Sequence, residues 1–539
     1  MPIPHDTPHP HLPVGLAGLT GDLALALTES RWADALAATT RLLETAPTDA
    51  RLWFVHGVLL RQNWRMDDAI NAYRRAIALG FAGAGPYIEL FQHLEKRGLV
   101  DDALGVWEAA DAEGESSARF HSMALDLSLK RPAATGAELR SRHDTWVDRY
   151  GMPDPAIPPL VIEPFGGDRP IRVGYVCSFW ETATIRFMLL PVLARHDRSR
   201  VRPYLYVTGP LRAGELWREV YGPHTDGIRE VAGLDGRAFV EQVRADRIDV
   251  LIDLNGHSGS HRFAAMASRC APVQAVYLNY TSTTAVGAMD YVIGDRTSPP
   301  TGTEGDYTEQ VWRLPGCFFV FDYRDDPLLP PVAPAPCTRT GHVTFGCFGA
   351  GSKINPTLVG WFTQMLHRVP GSRLFIRNLE LSPADNRRAL ERQFESHGIA
   401  PGRLTLVGKG SRHDVVRSYA DVDIALDTYP YCGGNTTAEA LWQGVPVVTL
   451  SGERFSSSYG ASLLRGAGCP ELVADSPDAY VTLAVDLATS PDRLVAYRST
   501  LRAQVIEQGL GNADVFTPQF DDALVRMRAA AGRVASGRC

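Results

Sequence analysis

The sequence contains no Cys-x-x-Cys pair. Its eight cysteines (Cys177, Cys270, Cys317, Cys337, Cys347, Cys432, Cys469 and Cys539) are scattered, with no histidine at zinc-ligand spacing. This argues against a sequence-local zinc site, and the cysteines read as reduced, mostly buried thiols. Long apolar runs are missing too, and the opening residues MPIPHDTPHPHLPVG lack the basic and apolar segments of an export signal. The expectation is a cytoplasmic protein with no membrane span. There is no basic excess: 54 Lys and Arg against 61 Asp and Glu leave a net charge of −7, which argues against a nucleic-acid partner. No G-x-G-x-x-G follows the first strand of either α/β region below, which argues against a dinucleotide oxidoreductase. His5, His9 and His11 read as a frayed tail rather than a metal site.

What is present is ordinary globular composition, 45% hydrophobic and 21% charged, over 539 residues, enough for several cores. Ala35, Ala69 and Ala103 recur at a spacing of 34 residues, the tetratricopeptide period, in which a small residue lets antiparallel helices approach closely. Trp53, Gly57, Leu60, Ala69, Tyr73 and Ala76 fill the large and small positions of the central copy. Ala103, Trp107 and Ala110 repeat its second helix, and Pro47 closes the first copy. Val- and Ile-rich segments alternating with helical ones then predict two parallel sheets covered on both faces. In the first, the strands begin at IRVGYVCSF and include VRPYLYVTG, IDVLIDLNG, VQAVYLNY and MDYVIGD; in the second they are HVTFGCFG, SRLFIRN, RLTLVG, VDIALD and VPVVTL. The chain thus divides into a flexible tail (1–15), repeats (16–130), a helical linker (131–169), an N-terminal lobe (170–324), a Pro-rich hinge (325–341), a C-terminal lobe (342–510) and a final helix (511–539). That helix carries Phe516, Phe520, Leu524 and Met527 on one face.

The chemistry concentrates where strands end, because ligands of such sheets bind beyond the carboxyl ends of the strands. In DIALDTYPYCGGNTTAEALWQGVPVVTL, Gly433 and Gly434 permit close approach of a ligand, and the amides of Asn435, Thr436 and Thr437 open a helix where a diphosphate fits. Glu439 is placed to accept hydrogen bonds from a ribose. Thr436-x-x-Glu439 is equally a capping box, which accounts for both residues without a ligand. Lys353, in GCFGAGSKINP, is placed to offset phosphate charge; its bland reading is a solvated surface lysine. His257, in DLNGHSGSHRF, is a candidate base or sugar contact, or simply holds its loop. Asp421-x-Asp423 resembles a metal pair but lies at the wrong end of its strand, so no metal is expected.

Repeats followed by IRVGYVCSF, IDVLIDLNGH, APVQAVYLNYTST, MDYVIGD, the KINP loop and ALDTYPYCGGNTTAEALWQGVPVVTLSG resemble the protein O-GlcNAc transferase/SPINDLY family. The resemblance implies a GT-B fold of two doubly wound, Rossmann-like lobes behind an all-α tetratricopeptide-repeat domain. It also implies a nucleotide-sugar held mainly by the C-terminal lobe, no metal or other cofactor, and inverting transfer to Ser or Thr of a protein held by the repeats. Lys353 matches the family's phosphate-contacting lysine, Gly434 to Thr436 its phosphate loop and Glu439 its ribose acid; His257 falls in its DLxGH element. Three positions depart from the pattern. Ala183 and Val415 stand where the family has histidines, and Ala350 where it has glutamine. Arg412 and His413 are candidate substitutes, and His224 in YGPHTDG is a further candidate base. The default donor is UDP-GlcNAc. One alternative is a flagellin glycosyltransferase using a nonulosonic, pseudaminic-type donor, and another is a non-catalytic scaffold.

Overall fold

In the computed structural model, residues 23, 26, 27, 29–211, 216–327 and 329–536 are described; the tail at 1–15, with His5, His9 and His11, lies outside them. Seven helices come first: α1 (Trp32–Thr45), α2 (Ala50–Gln62), α3 (Met66–Ala78), α4 (Gly85–Lys96), α5 (Val100–Ala112), α6 (Ala118–Ser128) and α7 (Gly136–Tyr150). The 34-residue repeat acts through contact distance. Ala35, Ala69 and Ala103 are fully buried, and a Cβ on Gly57 of α2 would lie 2.6 Å from the Tyr73 ring of α3, so only glycine lets these helices close. Asp49, Ser117 and Thr135 cap α2, α6 and α7 by accepting from the first free amides.

The first sheet contains β1 (Ile171–Cys177), β2 (Val201–Val207), β3 (Gly227–Glu230), β4 (Val250–Asp253), β5 (Val273–Val276), β6 (Tyr291–Asp295) and β7 (Gln310–Leu314), in the order 3-2-1-4-5-6-7. The second contains β8 (Thr344–Cys347), β9 (Arg373–Arg377), β10 (Leu404–Val407), β11 (Ile424–Leu426), β12 (Val447–Leu450) and β13 (Val473–Ala474), in the order 10-9-8-11-12-13. Every pairing is parallel, and buried Val, Ile and Leu on both faces explain the continuous apolar runs. These are two doubly wound lobes, each reversing direction between its first and fourth strands, and the GT-B architecture is the result.

Two further helices matter for the site: α8 (Pro356–Arg368) follows the KINP loop, and α9 (Asn435–Trp442) follows β11. The last helix, α10 (Ala513–Ser536), returns from the C-terminal lobe to the N-terminal one. It buries Phe516, Phe520, Leu524 and Met527. Its Asp521 pairs with buried His196 at 2.5 Å, and its Arg528 with Asp249 at 3.0 Å. No described helix is long and apolar enough to cross a membrane.

Candidate functional site

A cavity of about 520 Å³ opens between the lobes, within the size range of small-ligand sites. Its C-terminal-lobe wall consists of loops leaving the carboxyl ends of β8, β9, β10 and β11: Phe348 to Ala350 with Lys353, Arg377 to Glu380, Gly408 to Gly410, and Tyr431 with Gly434 to Thr436. The opposite wall is Thr184, Met188, Leu278, Asn279, Thr281, Phe318 and Phe319. The lobes touch across it where Asn435 Nδ2 donates to Thr184 Oγ1 at 2.7 Å.

The loops after β8 and β11 are tied into one unit. Asn355 caps α8 through its carbonyl and donates from Nδ2 to the Tyr429 carbonyl at 2.8 Å. Lys353 Nζ donates to the Cys432 carbonyl at 2.7 Å and sits 4.4 Å from the centre of the Tyr431 ring. Burial, only partly offset by the nearby Asp427 carboxylate, pushes its ammonium down to about 8. Asp427 lies beneath the loop, accepting from Gly433 N at 2.6 Å, Thr428 N at 2.8 Å and Thr449 Oγ1 at 2.7 Å. Its own burial raises its pKa.

The start of α9 decides between cap and ligand site. Its N-cap is Gly434 and no side chain caps it, so the Thr436-x-x-Glu439 capping box does not form. The first amides of any helix lack intrahelical partners; here those of Asn435 and Thr436 belong to residues lining the cavity. Asn435 Oδ1 is buried there without a hydrogen-bond partner. An amide-rich, cation-flanked end of this kind suits a diphosphate.

Other sequence candidates are placed elsewhere. Gly433 spends its amide on Asp427 and does not line the cavity, and Thr437 packs behind the loop. Glu439, expected at a ribose, is buried among protein partners: it accepts from Tyr323 OH at 2.7 Å and from Arg412 Nη1 at 3.0 Å. Arg412, expected at the nucleotide, also pairs with Asp326 at 2.9 Å and stacks 4.2 Å from the Phe187 ring centre. It clamps the two lobes together. His257 does not reach the cavity. It is buried where the helical array docks on the N-terminal lobe, with Nδ1 3.1 Å from Ser122 Oγ and its ring against Trp146, His143 and His261. Burial holds its pKa well below the ordinary histidine value. His224 sits in a short turn after the Leu216–Tyr221 helix, away from the cavity wall. Among the described residues no histidine lines the cavity. Two of the departures do, Ala350 and Val415. The sequence reading missed the aromatic and amide wall: Phe318, Phe319, Asn279, Thr281, Tyr431 and Tyr459. Asn279 and Thr281, at and just after the end of the predicted strand VQAVYLNY, and Leu379 and Glu380, just after SRLFIRN, carried a usable strand-end signal.

The family model for glycosyl transferase family 41 matches residues 163–328 and 339–520. The probable UDP-N-acetylglucosamine–peptide N-acetylglucosaminyltransferase SPINDLY of Oryza sativa subsp. japonica is 32% identical over 375 residues, 67% of this chain and 39% of the rice protein. The protein of the same name from Arabidopsis thaliana is 32% identical over 374 residues. The chain spans about two fifths of the length of these curated relatives. Among solved structures, a lysine-to-methionine mutant of an O-GlcNAc transferase from Thermobaculum terrenum superposes with a TM-score of 0.83 at 31% identity, covering 95% of this chain and 97% of that one.

Proposed function

The chain belongs to glycosyl transferase family 41, and from that membership we propose that it transfers N-acetylglucosamine from UDP-N-acetylglucosamine to Ser or Thr hydroxyls of a protein acceptor. The observation that carries this reading is the uncapped start of α9, facing the cavity beside Lys353. The diphosphate lies against the Asn435 and Thr436 amides, with Asn435 Oδ1 accepting from a donor hydroxyl. The nucleoside occupies the wall after β9 and β10, and the sugar points toward Thr184, Asn279 and Thr281. Charge building on the leaving diphosphate is met by the helix start and the Lys353 ammonium, while the acceptor oxygen attacks the anomeric carbon from the opposite face. This division of labour asks for no metal. The names of the relatives support UDP-N-acetylglucosamine over a nonulosonic donor. The helical array is read as the acceptor's docking surface, and the protein as cytoplasmic.

The test is thermal shift with UDP, then intact-mass analysis of an acceptor protein incubated with UDP-N-acetylglucosamine. UDP raises the melting temperature of wild type, and the acceptor gains the mass of the sugar. Absence of any shift with UDP sinks the reading and leaves the lobes as a scaffold.

A further inference from the structure

We propose that the helical array is a structural part of the donor site, with Gly98 acting as a positioning residue for Lys353. The inference rests on the donor-site reading above and adds a second role for the array besides holding acceptor.

Three turns of the array end in glycines in the left-handed region: Gly80 (φ +75), Gly98 (φ +71) and Gly114 (φ +77). A Cβ at Gly80 or Gly114 would meet nothing within 4 Å. At Gly98 it would collide with the Ile354 carbonyl oxygen and lie 2.8 Å from that carbonyl's carbon, with Gly351 O only 3.1 Å away. These backbone groups bracket Lys353. The approach is mutual, since a Cβ on Gly351 would collide with the carbonyl of Lys96. On either side the seam is pinned by hydrogen bonds: Arg97 Nε to Asn386 Oδ1 at 2.9 Å, and Met66 N to Asp385 Oδ2 at 2.8 Å. The array also faces Lys353 electrostatically. Buried Lys130, held by Glu95 at 3.1 Å and Asp126 at 3.0 Å, pushes the Lys353 ammonium down while Asp126 pulls it up, alongside the effects of Asp427 and Cys432. The turn glycine therefore sets how deeply the Gly351–Lys353 turn is pressed toward Cys432, and with it the reach of the ammonium to the phosphate.

Gly98→Ala tests this in the full chain, with Gly80→Ala and Gly114→Ala as controls that carry the same backbone strain in open space. Seating the methyl opens the seam by about 1 Å, a displacement that can cost about 10²-fold in kcat. Amine labelling of Lys353, followed by peptide mass against pH, needs no donor. Its midpoint stays near 8 in wild type and both controls and moves toward lysine's ordinary 10.5 in Gly98→Ala. Gly351→Ala, which crowds the same seam from the lobe side and leaves the array's own sequence unchanged, gives the same shift and guards against array unfolding in Gly98→Ala. The proposal is overturned if Gly98→Ala matches the two controls in labelling midpoint and, where UDP binds, in UDP affinity. Failure of wild type to bind UDP removes the functional reading, while the labelling midpoint still decides this one.

Discussion

Replacing Lys353 by methionine keeps the stem and deletes the charge. In the free protein its ammonium has one carbonyl acceptor, Cys432 O at 2.7 Å, and one aromatic face, Tyr431. Opposite a diphosphate it makes a charge-assisted hydrogen bond worth about 1.5–3 kcal/mol, so UDP should bind roughly 10- to 100-fold more weakly to Lys353→Met. The pH dependence separates charge from shape. With the amine pushed down to about 8, the ammonium predominates at pH 7 and the neutral amine at pH 9. Donor binding favours the ammonium, so UDP affinity of wild type falls as pH rises through 8, by up to about tenfold per unit, until it meets the pH-independent value of Lys353→Met. The unliganded protein behaves in the opposite sense. Its folded state binds fewer protons than the unfolded state between about 8 and lysine's ordinary 10.5, so this group makes wild type gain stability relative to Lys353→Met as pH rises through that window. Calorimetric titration of UDP at pH 7, 8 and 9 on both proteins reads the first effect. A wild-type affinity flat across that range, or a methionine variant that binds as tightly as wild type, refutes the assignment of Lys353 to the phosphate.

Arg412→Ala removes the cationic partner that Glu439 and Asp326, both buried, share besides their other contacts, and should lower stability by about 3 kcal/mol in urea denaturation, with Arg412→Lys restoring less than half because it lacks the planar fork; a loss under about 1 kcal/mol contradicts the interlobe clamp. His143, buried with Nε2 2.5 Å from Tyr280 OH, is pushed down to about 4, so folding excludes its proton and stability falls as pH drops from 6.5 toward 4. The stability difference between pH 7 and pH 5 should therefore shrink by about 2 kcal/mol in His143→Gln, and an unchanged difference removes the buried neutral histidine from the account. Asn435→Ala deletes both the Thr184 contact and the unpartnered Oδ1, so UDP-sugar turnover should drop about tenfold while Thr184→Val, which loses only the contact, drops less; equal losses would assign Asn435 to lobe closure alone. Turnover should be insensitive to EDTA, and restoration by added divalent cation after a loss would overturn the metal-independent reading.

The fold was legible because its signals are local. A 34-residue alanine period states a contact distance, and Val- and Ile-rich runs state a sheet covered on both faces. The strands that escaped notice, β3, β7 and β13, are short and poor in continuous apolar sequence: GIRE, QVWRL and VA, none buried along its whole length. At the site, the strand-end rule leads to Lys353 and to Gly434 to Thr436, all of which line the cavity between the lobes. It failed for His257 for a non-local reason. β4 does deliver the histidine to the carboxyl end of its sheet, but Ser122, His143 and Trp146 of the array dock on that same end and cover it. Glu439, and Arg412, which was a candidate substitute for the family histidine at Val415, are each drawn to Tyr323, which comes from the other side of the cleft. A strand end therefore identifies a candidate ligand residue only where no other domain claims it. In this chain the array claims the N-terminal lobe's end, so the ionisable wall of the cavity, with Lys353, Arg377 and Glu380, belongs to the C-terminal lobe, and the lobe opposite offers hydroxyls, an amide and aromatic rings.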